Sequence, residues 1–108
     1  MEKFLILDEE KAFNTLLEIG FKVEDVSVEG SGIIVSLFRE KNSLREEISV
    51  ELGPFKMPLS GKIMFETEGV SYTIYEETEP GHIVREEEHF FSTVEELLSH
   101  MEVFRRAS

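Results

Sequence analysis

Apolar positions repeat with two different periods along this chain. Ala12, Phe13, Leu16 and Leu17 recur at helical spacing up to Gly20, and from Phe21 to about Phe91 the period falls to two. A helix is followed by strands. Asp8 suits an N-cap, Glu9 and Glu10 fall in the first turn where the helix dipole favours negative charge, and Gly20 supplies the stop, which predicts a helix from Asp8 to Ile19. Phe4 to Leu7 reads as a short strand or as an extension of that helix, with Leu7 placed to staple against Ala12.

The period-two region divides at turn residues. Val26 and Val28 precede a turn at Glu29-Gly30-Ser31-Gly32; Ile33, Val35 and Leu37 follow it, and Lys41-Asn42-Ser43 makes the next reversal. Leu44, Ile48, Val50 and Leu52 then face one way, with Glu47, Ser49 and Glu51 facing the other. After a Pro-containing loop, Ile63 and Phe65 are expected to pair across a turn at Glu68-Gly69 with Val70, Tyr72 and Ile74, and Glu79-Pro80-Gly81 turns the chain into a last strand from His82 to about His89. The final element is helical: Ser92 and Thr93 precede Glu95 and Glu96 in a capping-box pattern, Val94, Leu97, Leu98 and Met101 form the apolar stripe, and Arg105 and Arg106 sit at its C-terminal end.

Two one-sided helices and a one-sided sheet have an economical solution. The expected fold is a single α+β domain over residues 1–108, two-layered, with an N-terminal helix, a five- to six-stranded antiparallel meander and a C-terminal helix, both helices packed on one sheet face. The order and acidity of these elements resemble those of small acidic chaperones of bacterial type III secretion systems. That resemblance is architectural, and no residue role is carried over from it.

Composition narrows the chemistry. There are 23 Asp and Glu against 11 Lys and Arg, a net charge of -12 that repels phosphate backbones and anionic head groups, so direct nucleic-acid binding is not expected. The longest uninterrupted apolar run, Phe4-Leu5-Ile6-Leu7, is too short for a membrane span or a signal-peptide core, and a cytoplasmic location is the expectation. The absence of Cys removes disulfides, thiol nucleophiles and thiolate metal sites. Only Asp8 and Asp25 among the acids are Asp, Gln is absent, and Asn occurs only at Asn14 and Asn42. This is a hyperthermophile bias, so a thermophilic host is expected, and a melting midpoint in the ordinary mesophile range would contradict it.

Five features invite a functional reading. Gly30-Ser31-Gly32 lacks the Lys-Ser/Thr pair and the following helix of a phosphate loop, and reads as a hairpin turn. His82, His89 and His100 lie on a turn, a strand end and the polar side of the last helix, without local metal-ligand spacing, although Glu87 shares the strand face of His89 and can form a carboxylate–imidazole pair. Tyr72 or Tyr75 with His89 would be the core of any enzymatic site. The segment Gly53 to Gly61 carries Pro54 and Pro58 yet holds large apolar residues at alternate positions, so Phe55 and Met57 are either partner anchors or side chains tucked under the sheet. On the face opposite the main apolar set, Ile34, Phe38, Met64, Tyr75 and Val84 mix with Ser36, Ser49 and Thr73, the character of a ligand surface, a homodimer contact or scattered surface aromatics.

The acidic excess is local. Glu76, Glu77 and Glu79 stand before the last turn and Glu86, Glu87 and Glu88 after Arg85, which gives a solvated hairpin or a surface for a basic partner. No catalytic, cofactor-binding or metal-ligating residue is assigned. The leading expectation is a non-enzymatic interaction module, an adaptor, chaperone-like or inhibitory protein, that recognises a basic or partly apolar protein through Phe55, Met57, Glu76, Glu77, Glu79, Glu86 and Glu88. A version of it is mimicry of nucleic acid by rows of Glu. The alternative is a small-ligand binder or minor enzyme with a pocket between sheet and helices.

Overall fold

Tight turns set the register of the sheet. In the computed structural model, which describes residues 9–30, 32–56 and 63–107, the chain runs through helix α1 (Glu10–Glu18), strands β1 (Lys22–Glu29), β2 (Gly32–Lys41), β3 (Leu44–Lys56), β4 (Ile63–Glu79) and β5 (His82–Phe91), and helix α2 (Val94–Ala107). The strands form one antiparallel sheet in the order β1-β2-β3-β4-β5. Three hairpins close with only two residues between paired positions, Glu29↔Gly32, Lys41↔Leu44 and Glu79↔His82. Each loop contains a residue at positive φ, Gly30 at 61°, Asn42 at 57° and Gly81 at 82°, the conformation that Gly and Asn accept at least cost. Gly32 is needed for a second reason: a Cβ there would stand 2.7 Å from the Leu52 carbonyl oxygen.

Among the described residues the sheet has five strands, because Glu68-Gly69 is not a turn. β4 runs straight through it: Glu51 pairs with Gly69 and Leu52 with Thr67, which leaves Glu68 as the extra residue of a β-bulge. Past this point the Pro-containing segment also departs from the expected loop. Gly53 to Lys56 continue β3 and pair with Ile63 to Glu66, a two-stranded extension beyond the reach of β2 and β5, and Pro54 is tolerated there because one side of its strand has no ladder to complete. Phe55 is therefore a strand residue opposite Met64, and Met57 lies outside the described residues.

Alternate strand residues supply the core. Val35 and Leu37 from β2, Ile48, Val50 and Leu52 from β3, and Val70, Tyr72 and Ile74 from β4 are buried in one cluster with Ala12 and Leu16 of α1, Phe21, and Val94, Leu97 and Met101 of α2. Leu16, Val50, Val94 and Leu97 are fully enclosed. Phe65, Phe91 and Leu98 pack around this cluster.

The C-terminal end of α1 and the N-terminal end of α2 are closed by hydrogen bonds. At the end of α1 the Gly20 N–H donates to the Leu17 carbonyl (3.2 Å) and the Phe21 N–H to that of Leu16 (3.1 Å), with Gly20 at φ 109° and Phe21 folding back onto Leu16, which is a Schellman stop. At the start of α2, Thr93 Oγ1 accepts from the Glu96 N–H (3.1 Å), one half of the expected capping box in its Thr93 register, and the Glu96 carboxylate accepts from the Ser92 N–H (3.2 Å), one residue before the cap. Two orphan N–H groups remain there, and Glu9 takes both. Its carboxylate accepts from Val94 (2.8 Å) and Glu95 (2.8 Å) while the residue is only 6% exposed. Glu9 is thus not a first-turn residue of its own helix: it occupies the N-cap position of α1 without capping it and closes a helix 85 residues away. Asp8 and Phe4 to Leu7 lie outside the described residues.

Candidate functional site

Hairpin register brings one polar network onto the core side of the sheet. The turn at Asn42 and Ser43 pairs Arg39 with Glu46, and the β3–β4 register places Ile48 opposite Tyr72 one row nearer the core. Arg39 donates from Nε (2.7 Å) and Nη2 (2.8 Å) to the Glu46 carboxylate and from Nη1 to the Ile19 carbonyl (2.8 Å), while its guanidinium lies 4.4 Å over the Phe21 ring. The same carboxylate accepts from the Tyr72 hydroxyl at 2.5 Å. Glu46 is the hub of this arrangement, tying the end of α1 to three strands.

Tyr72 continues the row into two imidazoles. His89 pairs with Tyr72 across β4 and β5 and stacks beside it, ring centroids 6.5 Å apart, and His89 Nε2 stands 3.8 Å from Glu87 Oε1, so the carboxylate and imidazole read together from the sequence are neighbours without a hydrogen bond between them. His100 reaches this group from α2. Its ring is 4.9 Å from His89 and 5.2 Å from Phe91, which corrects its expected place on the polar side of the helix. Among the described residues no group of three His, Asp or Glu is arranged to hold a metal ion. A depression of about 950 Å³ is lined by residues of α2, among them Glu96, Leu98 and His100, by its cap residue Thr93 and by Phe91 at the end of β5.

The tyrosines give this chemistry a pH signature. Burial, then the hydrogen bond and charge of Glu46, hold the Tyr72 phenol above the ordinary tyrosine range, and burial followed by the charges of Glu47, Glu86 and Glu88 raises Tyr75 in the same direction. A folded-state pKa above the unfolded value stabilises the fold below the unfolded pKa of about 10 and withdraws that stabilisation as pH rises through the folded pKa. With two Tyr and no Trp in the chain, absorbance at 295 nm isolates the phenols: ionisation of both is expected above the ordinary range, together with loss of stability on the alkaline side. Ionisation of either at its ordinary value in the folded protein would contradict the environment described for it.

The other side of the sheet is organised around one cation. Arg45 donates to Glu47 (2.7 Å), Glu24 (2.7 Å) and Glu40 (3.1 Å) and lies 4.7 Å over the Phe38 ring. It is consumed by these neighbours. Tyr75 pairs with Arg45 on one flank and Glu86 on the other, Thr73 stands between Glu47 and Glu88, and Ser71 is opposite Phe90, which is 72% exposed. Among the described residues neither Glu86 nor Glu88 has a cationic partner, whereas Glu87 is held by Arg85.

The residues expected to bind a partner are therefore only partly gathered. Glu86 and Glu88 lie on the Tyr75 side of β5, Glu76 pairs with Arg85, and Glu77 and Glu79 lie at the hairpin end where the register shifts. Phe55 is remote in sequence register, on the two-stranded extension. Ile34, Phe38 and Tyr75 are half-buried, Ile34 and Phe38 share one face of β2 by their spacing, and Val84 is half exposed. The Arg39–Glu46–Tyr72 network was not singled out from the sequence, although the Asn42-Ser43 turn fixes the Arg39↔Glu46 pair and was available as a signal.

No protein-family model matches this chain, and neither the curated proteins nor the solved structures return a match. The architectural resemblance to secretion chaperones gains no support from them. Among the described residues no helix is long and apolar enough to cross a membrane.

Proposed function

We propose that this protein is an acidic interaction module that binds a basic, partly apolar surface of another protein through the Tyr75 side of its sheet and the β4–β5 hairpin. In this reading both helices cover the core side of the sheet, an arrangement supported by the shared burial of Leu16, Leu97 and Val50, and the opposite side stays open for a partner. The observation that carries the reading is the grouping of carboxylates that have no cationic partner among the described residues with aromatic surface: Glu86 lies opposite the half-buried Tyr75, Glu88 stands beside the exposed Phe90 on the same strand face, and the neighbouring cation, Arg45, is already held by three carboxylates. Aromatic surface supplies contact area and the carboxylates supply selection for cations. Rows of Glu along the strands are also compatible with inhibition of a nucleic-acid-binding protein.

Position separates recognition from bulk charge. A lysine-rich peptide serves as the probe, and the double variant Glu86→Lys/Glu88→Lys is expected to weaken its binding at least about tenfold at low salt, whereas Glu10→Lys/Glu18→Lys, which changes net charge equally from exposed sites on α1, weakens it by about threefold or less. Equal losses from the two variants would leave only non-specific attraction to a chain of charge -12.

A further inference from the structure

A meander in sequential order has two edges, and they are not alike. β1 is broken by a register shift between Val23 and Asp25, and Glu24 beside that shift is occupied by Arg45. Such an irregularity blunts an edge. β5 is different. From Arg85 to Phe91 its pairing with β4 is regular over every residue, from Glu76↔Arg85 to Val70↔Phe91, and among the described residues no strand pairs with its outer side. Among the described residues, this seven-residue stretch of regular strand therefore has its outward-pointing backbone N–H and C=O groups, at alternate positions, without a ladder partner.

The side chains of this edge alternate in a useful way. Glu86, Glu88 and Phe90 are exposed on one face, and Glu87, His89 and Phe91 are half-buried on the other. A strand added at the ordinary spacing of about 4.8 Å brings its side chains within about 5.5 Å of those opposite them. Like charges directly opposite are destabilising, so Glu86, Glu87 and Glu88 disfavour a second copy of β5 at this edge. Glu86 and Glu88, which share a face and have no cationic partner among the described residues, favour an extended segment that carries Lys or Arg at alternate positions, where the methylene stem of a further cation covers Phe90.

We infer that the partner adds a basic, extended segment as a sixth strand on the outer edge of β5, its cations beside Glu86 and Glu88. This rests on the function proposed above and specifies how the partner docks: main-chain hydrogen bonds give affinity and the carboxylates give selection. The strand-addition mode separates from electrostatic docking by changing the peptide backbone and keeping its charge. The probes are an acetylated, amidated heptapeptide alternating Val and Lys, and two versions of it with N-methyl groups on every second amide, one for each register.

The unmethylated peptide is expected to bind and to slow hydrogen exchange at alternate amides between Arg85 and Phe91, and at least one methylated version is expected to bind at least about tenfold more weakly, because its pairing edge can no longer donate. If all three peptides bind alike and Glu86→Lys/Glu88→Lys weakens them alike, strand addition is overturned while the acidic docking surface stands. If none binds at low salt, both are overturned.

Discussion

Replacing Glu9 with alanine is expected to lower stability by about 2–3 kcal/mol, because the buried N-terminus of α2 loses two charge-assisted acceptors at once. Ordinary N-caps act within a turn of the helix they close. Here the carboxylate arrives from the start of α1 and accepts from Val94 and Glu95 at 2.8 Å each, so the variant leaves a buried Val94 N–H without a partner and removes a negative charge from the positive end of the helix dipole. The expected fall in Tm is roughly 10–15 °C for a domain of this size. Glu9→Gln keeps one carbonyl acceptor and should cost about half as much. Amide exchange should accelerate first in the opening turn of α2. A change below about 0.5 kcal/mol for Glu9→Ala would show that this contact does not hold the helix.

Glu46→Ala is expected to cost about 2–3 kcal/mol, somewhat below the loss for breaking a fully buried pair, because Arg39 and Glu46 keep 28% and 16% of their side-chain surface in contact with solvent. The loss comes from two stranded groups. Arg39 would keep the Ile19 carbonyl and the Phe21 ring but no carboxylate, and the Tyr72 hydroxyl would lose its 2.5 Å acceptor. Tyr72→Phe removes one neutral donor from a carboxylate that still holds Arg39, so about 1 kcal/mol is expected. A double-mutant cycle between Tyr72→Phe and Glu46→Gln measures their coupling, and Glu46→Gln should bring Tyr72 ionisation back towards the ordinary range because the charge beside the phenol is gone. Additive stabilities and an unmoved phenol would contradict the network.

Most of the fold was legible because its determinants are local. Val26, Val35, Ile48, Val50, Tyr72 and Ile74 announce a one-sided sheet by alternation, and Gly30, Asn42 and Gly81 sit where two-residue reversals require positive φ. The misreadings share one cause, a partner distant in sequence. Glu68-Gly69 looks like a turn between alternating segments, yet the bulge there is set by Glu51 and Leu52 on another strand. Glu9 was placed by its neighbours in α1, while its partners lie at the other end of the chain. His100 sits only about 60° around the helix from Leu97, so it flanks the apolar stripe and turns towards Phe91 and His89.

The candidate surface was visible as charge but not as geometry. Composition marks the stretch from Glu76 to Glu88 as acidic, and only the sheet register shows that Glu86 and Glu88 share a face with Tyr75 while Glu87 is taken by Arg85. Arg45 is not singled out by any sequence pattern. Its three carboxylate neighbours come from β1, β2 and β3, so its saturation depends on pairings that no local pattern encodes.

The most direct test of the docking surface is a residue-resolved NMR titration of the protein with the alternating Val–Lys peptide at low salt. Shifts concentrated on β5 and on Tyr75, Thr73 and Glu88, and weakened by Glu86→Lys/Glu88→Lys, are the expected result. Shifts of equal size over α1 and β1, unchanged by that variant, would contradict it.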